Sequence, residues 1–340
     1  MVSTIVFAAL FLGVLFVTAA LWAFFLWLGL RWADVSEFTL RGIMLTTGIV
    51  IVGQIALSVW MQFAFPPDYL ESLVGALSLL TLAVMLQLGT IGSVFRASTR
   101  QVLQAWLLTL LASVTTFVIV ILILRPALYE TYTIPTNAMA PTLVGVHVES
   151  VCSECELTNY GSPLDDLMDT VEPPRMICEQ FHIGPALSVR NPKQASDRIL
   201  VAKFLKPQRW DIIVFHYPGN PGMLDAKRLV GLPGETIIIK DGAVWADNQK
   251  VIPPTHLAGL KYDDGIPELP QVQMWGSTNR PAVLGADEYF VLGDFSAQSA
   301  DSRVWESGAA THNPFAVPES YVVGVVTHTY WPFKRLGVHR

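Results

Sequence analysis

The chain has 340 residues, 52% of them hydrophobic and only 15% charged, where a soluble globular chain usually carries about 25% charged residues. A net charge of −6 and the lack of a clustered basic stripe exclude nucleic acid as an expected partner. The apolar excess lies almost wholly in the first 125 residues, which points to a lipid-facing N-terminal part followed by a more polar one.

Four runs in that part, near residues 3–30, 42–65, 72–95 and 101–124, contain no Lys, Arg, Asp or Glu. Each exceeds the roughly 20 helical residues that cross a hydrocarbon core, so residues 1–126 are expected to form a bundle of four transmembrane helices. The rival reading, a signal peptide followed by buried core helices, fits less well. The first run lacks a basic start, is too long for a leader, and is followed by three similar runs. Arg31 and Arg41 flank the first loop and Arg96 and Arg100 the third, whereas the second, at 66–71, has no basic residue. Basic loops are retained on the cytoplasmic side. The N-terminus and everything beyond residue 124 are therefore expected outside, facing the cell exterior or periplasm.

From residue 127 to 340 the pattern changes to short β-rich segments broken by Pro and Gly. Strands are expected near 199–203, 211–215, 236–240, 243–246, 288–292 and 321–329. A mostly β domain of about 210 residues can bury its own core. No internal repeat is evident. An insertion at about 146–195 holds all three cysteines, in the order Cys152-Ser-Glu-Cys155, a gap of 22 residues, then Cys178 and His182. Thiolates and imidazole at this spacing suit a closed tetrahedral zinc site. A Cys152–Cys155 disulfide that leaves Cys178 over is the alternative in an oxidising compartment, and neither is the third.

Four stretches carry the chemistry. Residues 132–143 read Tyr-Thr-Ile-Pro-Thr-Asn-Ala-Met-Ala-Pro-Thr-Leu, 209–215 read Arg-Trp-Asp-Ile-Ile-Val-Phe, 226–235 read Ala-Lys-Arg-Leu-Val-Gly-Leu-Pro-Gly-Glu, and 290–303 read Phe-Val-Leu-Gly-Asp-Phe-Ser-Ala-Gln-Ser-Ala-Asp-Ser-Arg. Together, in this order and with the tail at 317–324 and Trp331-Pro332, they resemble the signature boxes of bacterial type I signal peptidases over roughly residues 130–338. These membrane-bound serine/lysine proteases remove leader peptides from exported preproteins. The resemblance implies a catalytic domain of that type facing outward, secretory preproteins and the lipid bilayer as partners, and no cofactor for catalysis.

Peptide hydrolysis by a serine needs a base for its proton and donors for the oxyanion. By resemblance, Lys227 is that base, kept neutral by apolar burial, and Ser299 hydrogen-bonds and directs it. Thr136 supplies a hydroxyl to the oxyanion beside the backbone N–H of residue 138. Asp294, Asp301 and Arg303 brace the loop that carries Ser299, while Tyr132, Ile134 and Leu143 line pockets for small substrate side chains. Trp210 stands where the family often has glycine, and Phe295 where an Asn is common.

Residue 138, the nucleophile position of the family, is alanine. Losing the nucleophile typically removes nearly all acceleration and leaves binding. Four readings stay open: an introduced Ser-to-Ala change, a natural inactive member, Thr136 acting in its place, or altered chemistry. The expectation is a peptidase scaffold that binds without efficient cleavage; the alternative is a non-catalytic signal-peptide binder or regulator. A self-cleaving repressor shares the Ser/Lys pair, but four spans and no DNA-binding helix pattern argue against it.

Overall fold

A computed structural model of the chain describes residues 2–65, 73–119, 128–163, 175–185, 192–264 and 273–340. The second interhelical loop, the end of the fourth apolar run and parts of the cysteine-bearing insertion lie outside the described residues. Two compact units are present, Val2–Arg125 and Pro126–Arg340.

The first unit contains helices α1 (Val2–Trp32), α2 (Leu40–Ala64), α3 (Leu73–Phe95) and α4 (Thr99–Ile119). All four are long and apolar enough to cross a membrane. Two begin at caps legible in the sequence. Gly42 N–H donates to the Thr39 hydroxyl at 3.1 Å ahead of α2, and Ser98 N–H donates to Gln101 Oε1 at 3.0 Å ahead of α4, each satisfying an N–H that the first turn leaves free. Trp22, Leu26, Leu30, Ile43, Val50, Ile91 and Ala105 form the bundle core. A Cβ on Gly29 would lie 2.5 Å from the Ala105 carbonyl oxygen, so glycine is what lets α1 and α4 touch backbone to backbone. Phe16, Leu40, Val52, Leu73 and Phe117 stay exposed on the outside, as a lipid-facing surface requires.

The second unit is built on antiparallel sheets. The largest runs in the order β1 (Tyr129–Thr133), β6 (Arg198–Ala202), β15 (Val322–Trp331), β7 (Ile212–His216), β8 (Leu224–Gly231), β13 (Glu288–Leu292) and β14 (Val317–Pro318), with β16 (Gly337–Val338) paired to β15. Strand alternation divides its side chains between two cores. Ile212, Val214 and Val326 pack with Ile134, Met139 and Leu143 on one face, while Ile213, Phe215 and Val325 pack with Leu229, Val291 and Trp305 on the other. A second sheet orders β11 (Gln249–Lys250), β10 (Ala243–Ala246), β9 (Thr236–Lys240) and β12 (Ala282–Val283), and buries Ile237, Ile239 and Val244 against Phe290 and Phe315. The expected strands at 236–240, 243–246 and 288–292 have the observed bounds, and the others shift by one or two residues.

The cysteine-bearing insertion forms a third sheet in chain order, β2 (Val148–Val151), β3 (Thr158–Gly161), β4 (Arg175–Cys178) and β5 (Ile183–Pro185). Its Tyr160 and Ile177 bury against Ala140, Val144 and Phe295, which lie two to six residues in the chain from residue 138 or 299.

Candidate active site

β1 delivers the chain to a turn at residues 134–143, and the turn is held by partners far away in sequence. Asn137 Nδ2 donates to the Val146 carbonyl at 3.0 Å, and its Oδ1 accepts from Gly145 N–H at 2.9 Å. A Cβ on Gly145 would stand 2.8 Å from both Pro135 O and Thr136 N, so this close crossing needs glycine. Asp197, fully buried, accepts from Val144 N–H at 2.9 Å and pairs with Arg335 Nε at 2.8 Å. Arg335 also donates to the Pro141 carbonyl at 2.9 Å.

β8 presents neighbouring residues to opposite sides. Lys227 faces a cleft of about 500 Å³ whose lining includes Thr136, Ala138, Asp225, Gln298 and Trp305. Arg228 points away and meets Asp294, with Nε to Oδ1 at 2.6 Å. Thr142 of the turn donates its hydroxyl to the same carboxylate, so Asp294 ties the turn to the lysine strand. Burial works against the Arg228 charge, but the Asp294 carboxylate outweighs it and raises the guanidinium pKa. Tyr262 is pushed well above its usual pKa, first by burial and then by Asp294.

The 293–303 loop has its own buried pair. Arg303 Nε and Nη2 donate to the two oxygens of Asp301, each at 2.8 Å. Its remaining N–H groups go to Asp263 O, Ser296 Oγ and Ser296 O, which satisfies all five guanidinium donors. Burial opposes this charge too, and Asp301 raises the pKa against it. Asp301 Oδ2 also accepts from Gly293 N–H at 3.0 Å. A Cβ on Gly293 would lie 2.1 Å from Ser299 Oγ and 2.6 Å from the Ala138 carbonyl oxygen. Glycine at 293 is therefore what brings residues 138 and 299 together, and Phe295 N–H donates to that same carbonyl at 3.1 Å.

Thr136, Ala138 and Lys227 thus line one cleft. Tyr132 and Ile134 line a smaller neighbour, which shares Pro135, Thr136, Leu224 and Asp225 with it. Leu143 lies elsewhere: it is fully buried in the core with Met139 and Ile199 and lines neither cleft.

Two further placements differ from expectation. Lys227 is buried, but its surroundings are not apolar: Nζ donates to Asp225 Oδ1 and Oδ2 at 2.5 and 2.6 Å. Alternation explains this, because residues 225 and 227 share a strand face. Ser299 Oγ does not meet Lys227 and has no hydrogen-bond partner among the described residues; it packs over Gly293 instead. Trp210 takes φ 74°, a left-handed backbone that favours glycine, which accounts for the residue type common there.

Sequence reasoning missed Asp225, Asn137, Asp197, Arg228 and Arg335 as parts of this site. Asp225 and Arg228 flank Lys227 closely in one strand, which marks them as neighbours but not as partners; the others carry no local signal.

The family model for signal peptidase, peptidase S26, matches residues 175–331. Signal peptidase I of Leptolyngbya laminosa is 31% identical over 164 residues, which cover 45% of this chain and 69% of that protein. Probable signal peptidase I-1 of Synechocystis is 30% identical over 165 residues, 45% of this chain and 71% of its own. Signal peptidase I of Pseudomonas aeruginosa is 25% identical over a longer stretch of 247 residues, 64% of this chain and 74% of its own. With a mostly β domain that carries the four family boxes, following four long apolar helices, this chain belongs to the signal peptidase I family of serine endopeptidases.

Proposed function

We propose that this chain grips the signal peptides of exported preproteins in the cleft between the 132–138 segment and β8, and that it holds them without efficient cleavage. The observation that carries this reading is the meeting of Thr136, Ala138 and Lys227 on one cleft. In the family reaction a serine at position 138 attacks the peptide carbonyl and Lys227 takes its proton, while the N–H of residue 138 and the Thr136 hydroxyl hold the oxyanion. Alanine keeps the N–H and removes the attacking oxygen. The extended substrate would add as a strand along the edge formed by residues 132–136, with small side chains in the pockets beside Tyr132 and Ile134. Asp294, Asp301 and Arg303 keep the parts in register, and the catalysis uses no cofactor. Cys152, Cys155, Cys178 and His182 are assigned to a structural zinc.

The four apolar helices make the protein a multi-pass component of the bacterial cytoplasmic membrane. Arg31, Arg41, Arg96 and Arg100 keep the first and third loops inside. The β domain is then extracytoplasmic, where preproteins emerge still tethered to the bilayer.

One observation favours the alternative of a dedicated binder or regulator: the Asp225 carboxylate occupies both short contacts of Lys227. Cleavage of a model preprotein in detergent by the chain itself, by Ala138→Ser and by Ala138→Ser/Lys227→Ala separates the readings. Cutting by Ala138→Ser alone supports a silenced peptidase; cutting by the unaltered chain would overturn the site assignment. No cutting by any of them, with the peptide still bound, favours the binder.

A further inference from the structure

Cys152 and Cys178 are buried, Cys155 and His182 are partly exposed, and all three thiols are free. Their four candidate ligand atoms lie within 4.8 Å of one another. Cys155 Sγ is 3.6 Å from Cys178 Sγ, and Cys152 Sγ is 3.9 Å from His182 Nδ1. A tetrahedral zinc with Zn–S near 2.3 Å and Zn–N near 2.05 Å requires S···S separations of about 3.8 Å and S···N separations of about 3.6 Å. These two spacings match the ideal ones to a few tenths of an ångström, whereas a disulfide requires about 2.05 Å.

The backbone around the four atoms has the form of two tight turns. In the first, Cys152 N–H donates to Leu157 O at 2.9 Å and Glu156 N–H to Cys152 O at 3.0 Å. In the second, Cys178 N–H donates to His182 O at 3.1 Å, Phe181 N–H to Cys178 O at 2.8 Å, and His182 N–H to Cys178 Sγ at 3.3 Å. Each turn holds one non-glycine residue in the left-handed region, Glu156 at φ 61° and Phe181 at φ 64°. Such backbone persists where its surroundings over-determine it, and here both instances serve to aim thiols at a common point. Glu154 Oε2 lies 3.8 Å from His182 Nδ1, an exposed carboxylate facing the imidazole from the first turn.

The cluster is joined to the cleft by packing. Ile177, one residue before Cys178, buries with Tyr160 against Ala140 and Phe295. The Gln180 carbonyl fits against Gly259, where a Cβ would stand 2.6 Å away. Gln298 Nε2 donates to Arg175 O at 3.4 Å, and Asn137 Nδ2 to Ser162 Oγ at 3.2 Å. β3 and β4 are therefore the surface on which the 137–140 turn and the 295–299 loop rest.

We propose that a zinc ion bound by Cys152, Cys155, Cys178 and His182 staples the four-stranded insertion and thereby braces the two segments that form the preprotein cleft. The metal half stands on the ligand geometry alone; the bracing half rests on the cleft being the peptide-binding site. Three thiolates and one imidazole leave no open position, so the ion's role is structural.

The test uses the full chain in detergent, purified without chelator, beside Cys155→Ser and Cys155→Ala, which alter a partly exposed ligand. Metal analysis should find about one zinc per chain in the parent and a large loss in both variants. Cobalt exchanged into the parent should give the intense visible bands of a tetrahedral thiolate site. Zinc loss should lower the unfolding midpoint by about 10 °C and weaken a fluorescent signal peptide severalfold. No zinc, with a disulfide revealed by thiol counting, overturns the metal site. Zinc present and lost on substitution with peptide affinity unchanged overturns the bracing. A parent that carries zinc yet binds no peptide overturns the bracing and the reading of the cleft, and leaves the metal site standing.

Discussion

Replacing Asp225 by Asn in an Ala138→Ser background is expected to speed cleavage. Lys227 Nζ donates to both oxygens of Asp225 at 2.5 and 2.6 Å, and its other contact, to the Ala226 carbonyl, is long at 3.4 Å. A lysine that takes a proton from a hydroxyl at residue 138 has to turn away from that carboxylate. A hydrogen bond to a charged group is worth about 1.5–3 kcal/mol. The Asp225 side chain is 30% exposed, which places this pair toward the lower end because solvent competes for it. At about 1.4 kcal/mol per tenfold, removing the carboxylate should raise kcat/KM by about ten- to thirtyfold. The assay is the initial rate of preprotein cleavage in detergent, comparing Ala138→Ser with Ala138→Ser/Asp225→Asn, each with a Lys227→Ala blank. An equal or slower rate in the double variant, at unchanged peptide affinity, would refute the idea that Asp225 restrains Lys227 and make the carboxylate a working part of the site.

Gly293→Ala places a methyl 2.1 Å from Ser299 Oγ and 2.6 Å from the Ala138 carbonyl oxygen. It should cost about 1–3 kcal/mol in unfolding experiments and abolish the cleavage restored by Ala138→Ser; a stable variant that still cuts would show that the two segments need not touch. Asp301→Ala strands the buried Arg303 charge and should cost about 3–5 kcal/mol, read as a fall in the urea midpoint. Arg335→Ala removes its bonds to Asp197 and to the Pro141 carbonyl. Peptide binding should weaken at least tenfold while α1–α4 keep their helical signal in circular dichroism, since none of those contacts involves the helices. Equal peptide affinity would detach this clamp from the cleft.

The four helices were legible because each is a long run without charge, and β9, β10 and β13 because short apolar runs end at Asp or Gly. The cleft was partly legible: Thr136 and residue 138 are neighbours in one stretch, and Lys227 lies in another with its own turn. What the local pattern does not carry is partnership across the chain. Asp197 and Arg335 are far apart in sequence yet clamp the same turn, and nothing in the spacing of either names the other. Arg228 looked like an ordinary strand residue beside Lys227, although alternation sends it to Asp294. Leu143 was assigned to a pocket on resemblance, whereas the turn that holds it buries its side chain in the core with Met139 and Ile199.

The alanine at 138 leaves this architecture standing for a physical reason. The elements around the cleft are fixed by buried pairs that do not involve residue 138's side chain: Arg228 with Asp294, Arg303 with Asp301, and Arg335 with Asp197. Each removes a charge from water and repays that desolvation only because its geometry is complete. Residue 138 contributes its carbonyl, which accepts from Phe295 N–H, and its own N–H, both independent of the side chain. The presence or absence of a hydroxyl at residue 138 therefore leaves these contacts unchanged. On the proposed reading, a scaffold of this kind keeps recognition without the attacking atom, and the Asp225 carboxylate that holds Lys227 Nζ is compatible with a lysine that does not act as a base.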